Sequence, residues 1–69
     1  MSGVQLRPLL LQLERQSGSL RAQIEAAVHA HGTPLRWAIT AVQHRPNQPP
    51  LLQIEAVVLT GVDPERVAA

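Results

Sequence analysis

Residues 35–43, LRWAITAVQ, and residues 51–60, LLQIEAVVLT, decide the fold of this chain, and the segment HRPNQPP at 44–50 separates them. In both runs apolar side chains recur at every second position, which is the period of a β-strand with one buried face. The proline-rich segment predicts an exposed and stiff loop, because proline cannot donate a hydrogen bond to a strand ladder. The two runs therefore predict an antiparallel β-hairpin with strands at 34–43 and 51–60.

The alternation also predicts which residues of the hairpin share a face. Odd positions of the first strand, among them Trp37 and Ile39, fall on the same face as even positions of the second. Directly opposed residues share a face in an antiparallel pair, so their position numbers should add to an odd value. We therefore expect Ile39 opposite Ile54 or Ala56 and never opposite Glu55, and the loop leaves both registers open.

Residues 19–31 predict an amphipathic helix that packs on the hairpin. Ser19 is a candidate N-cap, because its hydroxyl can accept from an unpaired amide of the first turn. Gly32 fits the left-handed position beyond a helix end, and Pro34 prevents continuation. The residues expected on the buried stripe are Leu20, Ile24, Ala27, Val28 and His31.

Residues 4–16 carry leucines at helical spacing and predict a first helix. The alternation of Leu9, Leu11 and Leu13 with Leu10, Gln12 and Glu14 also fits a strand, but the propensities of Leu, Gln and Glu favour a helix. Ser-Gly-Ser at 17–19 predicts a break between the two helices. Leucine and alanine residues recur every seven positions across that break, at Leu6, Leu13, Leu20 and Ala27. This spacing leaves one long bent helix as an alternative.

These elements predict a single α+β domain over residues 1–69, with two N-terminal helices followed by an antiparallel β-hairpin and a tail at 61–69. In the tail, Asp63 and Pro64 have the pattern of a helix start, either a frayed single turn or a longer helix cut short. A chain of 69 residues with 1% aromatic content and no cysteine has little core and no disulfide. We therefore expect a homodimer that extends the sheet.

Charge and hydropathy narrow the classes of partner. The formal net charge is +1, and the 6 basic side chains are all arginine, scattered along the chain. Scattered arginines give a weak electrostatic footprint for nucleic acid. No apolar stretch approaches the roughly 20 residues of a membrane span, and the N-terminus lacks a signal sequence. We expect a cytoplasmic protein with no membrane contact.

No pattern of residues indicates catalysis or a cofactor. His29 and His31 project roughly 200° apart around a helix, so they cannot share one metal ion. Glu25 precedes His29 by four residues, which is typical of local helix support. Paired carboxylates, phosphate loops and a Ser-His-Asp order are not found. We expect no enzyme, no catalytic residue, no cofactor and no metal; a ligand or zinc site around His31 and His44 is a third alternative.

The outward face of the hairpin is where a function is expected. It is partly apolar, and apolar surface in excess of one small core is typical of an interaction site. The sequence thus predicts a small non-enzymatic protein-protein interaction or assembly module that acts as a homodimer and holds an unidentified protein partner. The expected partner-binding residues are Arg36, Arg45, Val57 and Leu59, and Ala38 and Val42 are expected on the same face.

The alternative is a weak nucleic-acid-binding protein that uses the dispersed Arg21, Arg36 and Arg45. Trp37, on the inward face, is expected in the core rather than as a stacking platform for a ligand.

Overall fold

A computed structural model describes residues 3–61, which form one helix and three strands in the order strand, helix, strand, strand. The elements are β1 (Gln5–Glu14), α1 (Leu20–His29), β2 (Thr33–Arg45) and β3 (Gln48–Thr60). The strands form one antiparallel sheet in the order β1-β3-β2, so β3 is central. The predicted helix start at Asp63 and Pro64 lies outside the described residues.

The prediction of a helix at 4–16 is wrong, because this segment forms β1. Leu9 pairs with Ala56 and Leu11 with Ile54, so the alternating leucines lie on the buried face of β3. Pairing with β3 supplies ladder hydrogen bonds and apolar contact along the whole segment, and this tertiary context overrides the helix propensity of Leu, Gln and Glu. The fold is therefore a β-rich βαββ arrangement, and the third strand of the sheet comes from the same chain, where we expected a second copy to extend it.

The helix predicted at 19–31 is present as α1 but ends at His29, so His31, predicted on the buried stripe, lies outside it and is exposed. Ser19 caps it, since its Oγ accepts a hydrogen bond from the backbone N–H of Ala22 at 3.2 Å. Ile24 and Val28 are fully buried, as the apolar stripe requires. One long bent helix is excluded, because α1 begins only after the connection that follows β1.

Gln23 fixes the connection between β1 and α1. Its side-chain amide donates to the carbonyl oxygens of Gln16 and Ser17 at 3.0 and 3.1 Å. Its side-chain oxygen accepts from the backbone N–H of Gln16 at 3.0 Å. Gly18, with φ 102°, provides the change of direction.

Gly32 follows the helix, as predicted, but for a different reason. Its φ is 153°, which is not the left-handed helical value that we expected. A Cβ at this position would lie 2.6 Å from the carbonyl oxygen of Leu59. Only glycine allows the chain to approach β3 this closely.

The hairpin is confirmed, but the predicted loop at 44–50 is much shorter. The turn consists of Pro46 and Asn47, and Asn47 has φ 60°. Proline followed by a residue with positive φ is the arrangement of a type II turn. Pro49 and Pro50 belong to β3, where they lie near the hairpin end and beyond the last residue of β1.

The register follows the prediction only where β2 is regular. Ile39 pairs with Ile54, as expected. Three register shifts interrupt β2, between Pro34 and Arg36, Ile39 and Ala41, and Gln43 and Arg45. A bulge adds one residue and reverses the alternation beyond it. Val42, expected on the outward face, therefore pairs with Leu52 on the face that α1 covers.

The core lies between α1 and one face of the sheet. Trp37 packs against the core cluster, in agreement with its predicted role. The buried residues are Ile24, Val28, Leu52, Ile54, Ala56 and Val58.

The 10 residues of α1 span about 15 Å, whereas the described chain extends over 50 Å. The helix therefore covers part of one face, and no element within residues 3–61 covers the other. Within the same residues, no helix is long and apolar enough to cross a membrane.

Candidate functional site

The sheet face opposite α1 is here called the open face. Strand pairing shows which residues belong to the open face, because directly opposed residues of an antiparallel pair share a face. No residue in this set is buried. The set consists of Leu6, Pro8, Leu10, Gln12 and Glu14 of β1, Leu51, Gln53, Glu55, Val57 and Leu59 of β3, and Thr33, Arg36, Ala38, Ala41 and Gln43 of β2.

Apolar side chains are concentrated at one end of the open face, where β1 begins and β3 ends. Leu6 pairs with Leu59, and Pro8 pairs with Val57. Leu6 is 65% exposed and Leu10 is 64% exposed. Single exposed leucines are ordinary, but neighbouring ones on one face form a continuous patch. We call these five residues the apolar end.

Two opposite charges lie beside the apolar end. Arg36 pairs with Val57, and Glu55 pairs with Ala38, so the two charged residues occupy adjacent strands two positions apart. Such diagonal neighbours lie about 7–8 Å apart. Both side chains are exposed, and neither takes part in an ion pair within residues 3–61. This arginine and this glutamate are therefore available to a partner.

A shallow depression of about 480 Å³ surrounds these two charges. Its lining includes Arg36, Glu55, Pro8 and Thr40. The Thr40 hydroxyl is engaged with Gln53, whose Nε2 donates to it at 3.0 Å. The depression combines one cation, one anion and apolar walls.

Of the two predicted partner-binding arginines, Arg45 is the one whose guanidinium forms hydrogen bonds within residues 3–61. Its Nη2 donates to the Glu14 carboxylate at 2.8 Å and to the Pro49 carbonyl oxygen at 2.6 Å. Its side chain is 24% exposed. Arg45 thus ties together the neighbouring ends of β1, β2 and β3. Among the other predicted residues, Arg36, Val57 and Leu59 come together on the open face.

The sequence prediction missed Leu6 and Leu10, which are the most exposed large apolar residues of the open face. The error followed from assigning a helix to their segment. The signal that could have found them was the alternation of Leu9, Leu11 and Leu13, which requires the residues between to face the other way.

The histidines do not converge. His31 precedes β2 and His44 lies near its far end, and the 13 residues of this strand span roughly 40 Å. Within the described part of the chain, no group of three or more His, Cys, Asp or Glu side chains could hold a metal ion. Glu25 pairs with Arg21 at 3.2 Å, an exposed contact that supports the helix. The structure thus gives no geometry for a ligand site between His31 and His44.

The fold is thus a βαββ domain with one covered and one open sheet face. The chain belongs to the family described as Domain of unknown function (DUF8621), whose model matches residues 5–60. The matched segment begins with β1 and ends with β3, so it contains the complete sheet and its helix. No curated protein and no solved structure matches the chain.

Proposed function

We propose that this protein is a non-enzymatic assembly module that binds a second copy of itself through the open face. The observation that carries the proposal is the apolar end, in which Leu6 and Leu10 are 65% and 64% exposed beside Val57 and Leu59. Removing apolar surface from water is favourable by about 25 cal/mol per Å². A second copy supplies a matching apolar surface.

The dimensions of the molecule suit face-to-face association. The described residues extend 50 × 21 × 13 Å, with a radius of gyration of 14.4 Å. A compact domain of this size has a radius of about 11 Å, so the molecule is flat and long. Its broad side has an area on the order of 1,000 Å², so an overlap of about half of it buries roughly 1,000 Å² over the two copies, which is at the small end of specific interfaces. Two such sheets can pack as a sandwich about 10 Å thick.

Both edges of the sheet are protected against pairing with another strand. β1 carries Pro8, which has no amide hydrogen, and β2 contains three register shifts. Proline and bulges are devices by which edge strands avoid adding a further strand. These features support association through the face and oppose association through an edge.

The arginines give little support to nucleic-acid binding. Arg21 and Arg45 each pair with a carboxylate, at 3.2 and 2.8 Å. Arg36 lies beside Glu55 on the open face. An oligonucleotide titration at two salt concentrations tests this alternative, since phosphate contacts weaken as salt rises. Cytoplasmic location and a further protein partner stay predictions, which cell fractionation and pull-down from the source cell would test.

Sedimentation equilibrium tests the proposed self-association. At micromolar concentration we expect twice the chain mass of 7.5 kDa for the unaltered protein. Leu6→Thr with Leu10→Thr should reduce the mass to that of one chain while the circular dichroism spectrum is retained, because both side chains are exposed. Val42→Thr is the matched control, since Val42 is 48% exposed but pairs with Leu52 on the face that α1 covers. A monomeric unaltered protein would refute the proposal.

A further inference from the structure

We infer that the second copy docks in one orientation, in which Arg36 of each copy pairs with Glu55 of the other. This inference rests on the proposed function and specifies its geometry. Arg36 and Glu55 are exposed on the same face, carry opposite charge, and are in no ion pair within residues 3–61. A face that closes over an unpaired charge must desolvate it without compensation. A second copy that presents the opposite charge to each of them supplies that compensation.

A single two-fold axis satisfies both charges. Arg36 is level with Val57, and Glu55 is two residues further back along β3. This axis lies in the plane of the interface and crosses the line between the two charges at its midpoint and at a right angle. Rotation by 180° about it exchanges the positions of the two charges. Arg36 then lies over the partner's Glu55, and Glu55 lies over the partner's Arg36. Reciprocity of this kind is the defining property of a two-fold contact.

The same axis also brings the apolar ends together. With strands about 4.8 Å apart and a rise of about 3.4 Å per residue, the axis passes between Pro8 and Val57. It places Leu10 beside the partner's Leu59, so apolar residues meet at the centre and the charge pairs lie to one side. The strands of the two sheets cross at roughly 70°, close to the orthogonal class of sheet packing.

The far end of the open face is consistent with this placement. Gln12 pairs with Gln53 there, and Glu14 pairs with Leu51. Crossed sheets leave this end, with its polar side chains, outside the contact. The charge pairs then select the orientation, because other orientations set like charges together or leave a charge against the apolar end.

Charge reversal tests the inference. Arg36→Glu alone places glutamate against glutamate at both contacts, and Glu55→Arg alone places arginine against arginine. Each variant alone should therefore associate on the order of a hundredfold more weakly than the unaltered protein. An equimolar mixture of the two variants restores both opposite-charge pairs, so it should form a dimer with affinity within about tenfold of the original.

Arg7→Glu is the matched control, because it makes the same change of charge on β1 but on the opposite face, where Arg7 pairs with Val58. Its association should be unchanged. Sedimentation equilibrium of each variant and of the mixture gives the result, with circular dichroism to check folding. If the unaltered protein is dimeric and the mixture does not recover, this inference is wrong and the proposed function stands. If the unaltered protein is monomeric, both are wrong.

Discussion

Replacing Ile24 by alanine tests how much of the stability depends on the contact between α1 and the sheet. Ile24 is fully buried, in a core cluster with Val28 and four residues of β3. The substitution removes three carbons, at about 0.8 kcal/mol for each buried methylene, and leaves a cavity whose cost adds to this loss. We expect the free energy of unfolding to fall by about 3–4 kcal/mol.

That loss is large for a domain of this size. Small domains have a free energy of unfolding of about 0.05–0.15 kcal/mol per residue, so a chain of 69 residues has on the order of 3–10 kcal/mol. Urea unfolding followed by circular dichroism, at one fixed protein concentration, measures the change. Leu35→Ala is the control, because Leu35 is 51% exposed and should lose no more than about 1 kcal/mol. A loss below about 1 kcal/mol for Ile24→Ala would show that α1 does not form the core as described.

Three further substitutions probe the connections. Gly32→Ala should destabilise the fold by about 2 kcal/mol or more, because the added Cβ would lie 2.6 Å from the Leu59 carbonyl oxygen; an unchanged melting temperature would contradict this. Ser19→Ala removes the helix cap and should cost about 1 kcal/mol in urea unfolding, with Ser19→Asp as the variant that retains the cap. Arg45→Ala should cost about 1 kcal/mol by losing its bonds to Glu14 and the neighbouring backbone, and the difference from the unaltered protein should narrow at high salt; a salt-independent difference would argue against the ion pair.

The elements that the sequence predicted correctly are those whose local signals agree. In α1, the serine cap, the stripe that contains Ile24 and Val28, and the glycine that follows all indicate the same helix. β1 was missed because two signals conflict there: the alternation of its leucines favours a strand, whereas intrinsic propensity favours a helix. Pairing with β3 decides the outcome, and this pairing joins residues far apart in sequence.

The bulges in β2 were also beyond prediction. A period-two pattern fixes faces only while the strand is regular, and nothing in the run around Ile39 marks an extra residue. Of the candidate site, the sequence predicted correctly that Arg36, Val57 and Leu59 share a face, because β3 is regular and Arg36 lies in the regular part of β2. The ion pair of Arg45 could not be predicted, since its partner Glu14 belongs to β1, for which the sequence predicts a helix.

The order of the strands has a consequence for biosynthesis. The central strand β3 is the last of the three to leave the ribosome, so β1 and β2 have no partner in their own chain until β3 emerges. A nascent chain that stalls before β3 therefore exposes two unpaired strands to its neighbours. Pro8 and the irregularities of β2 then protect the unfinished polypeptide from aggregation as well as the mature one.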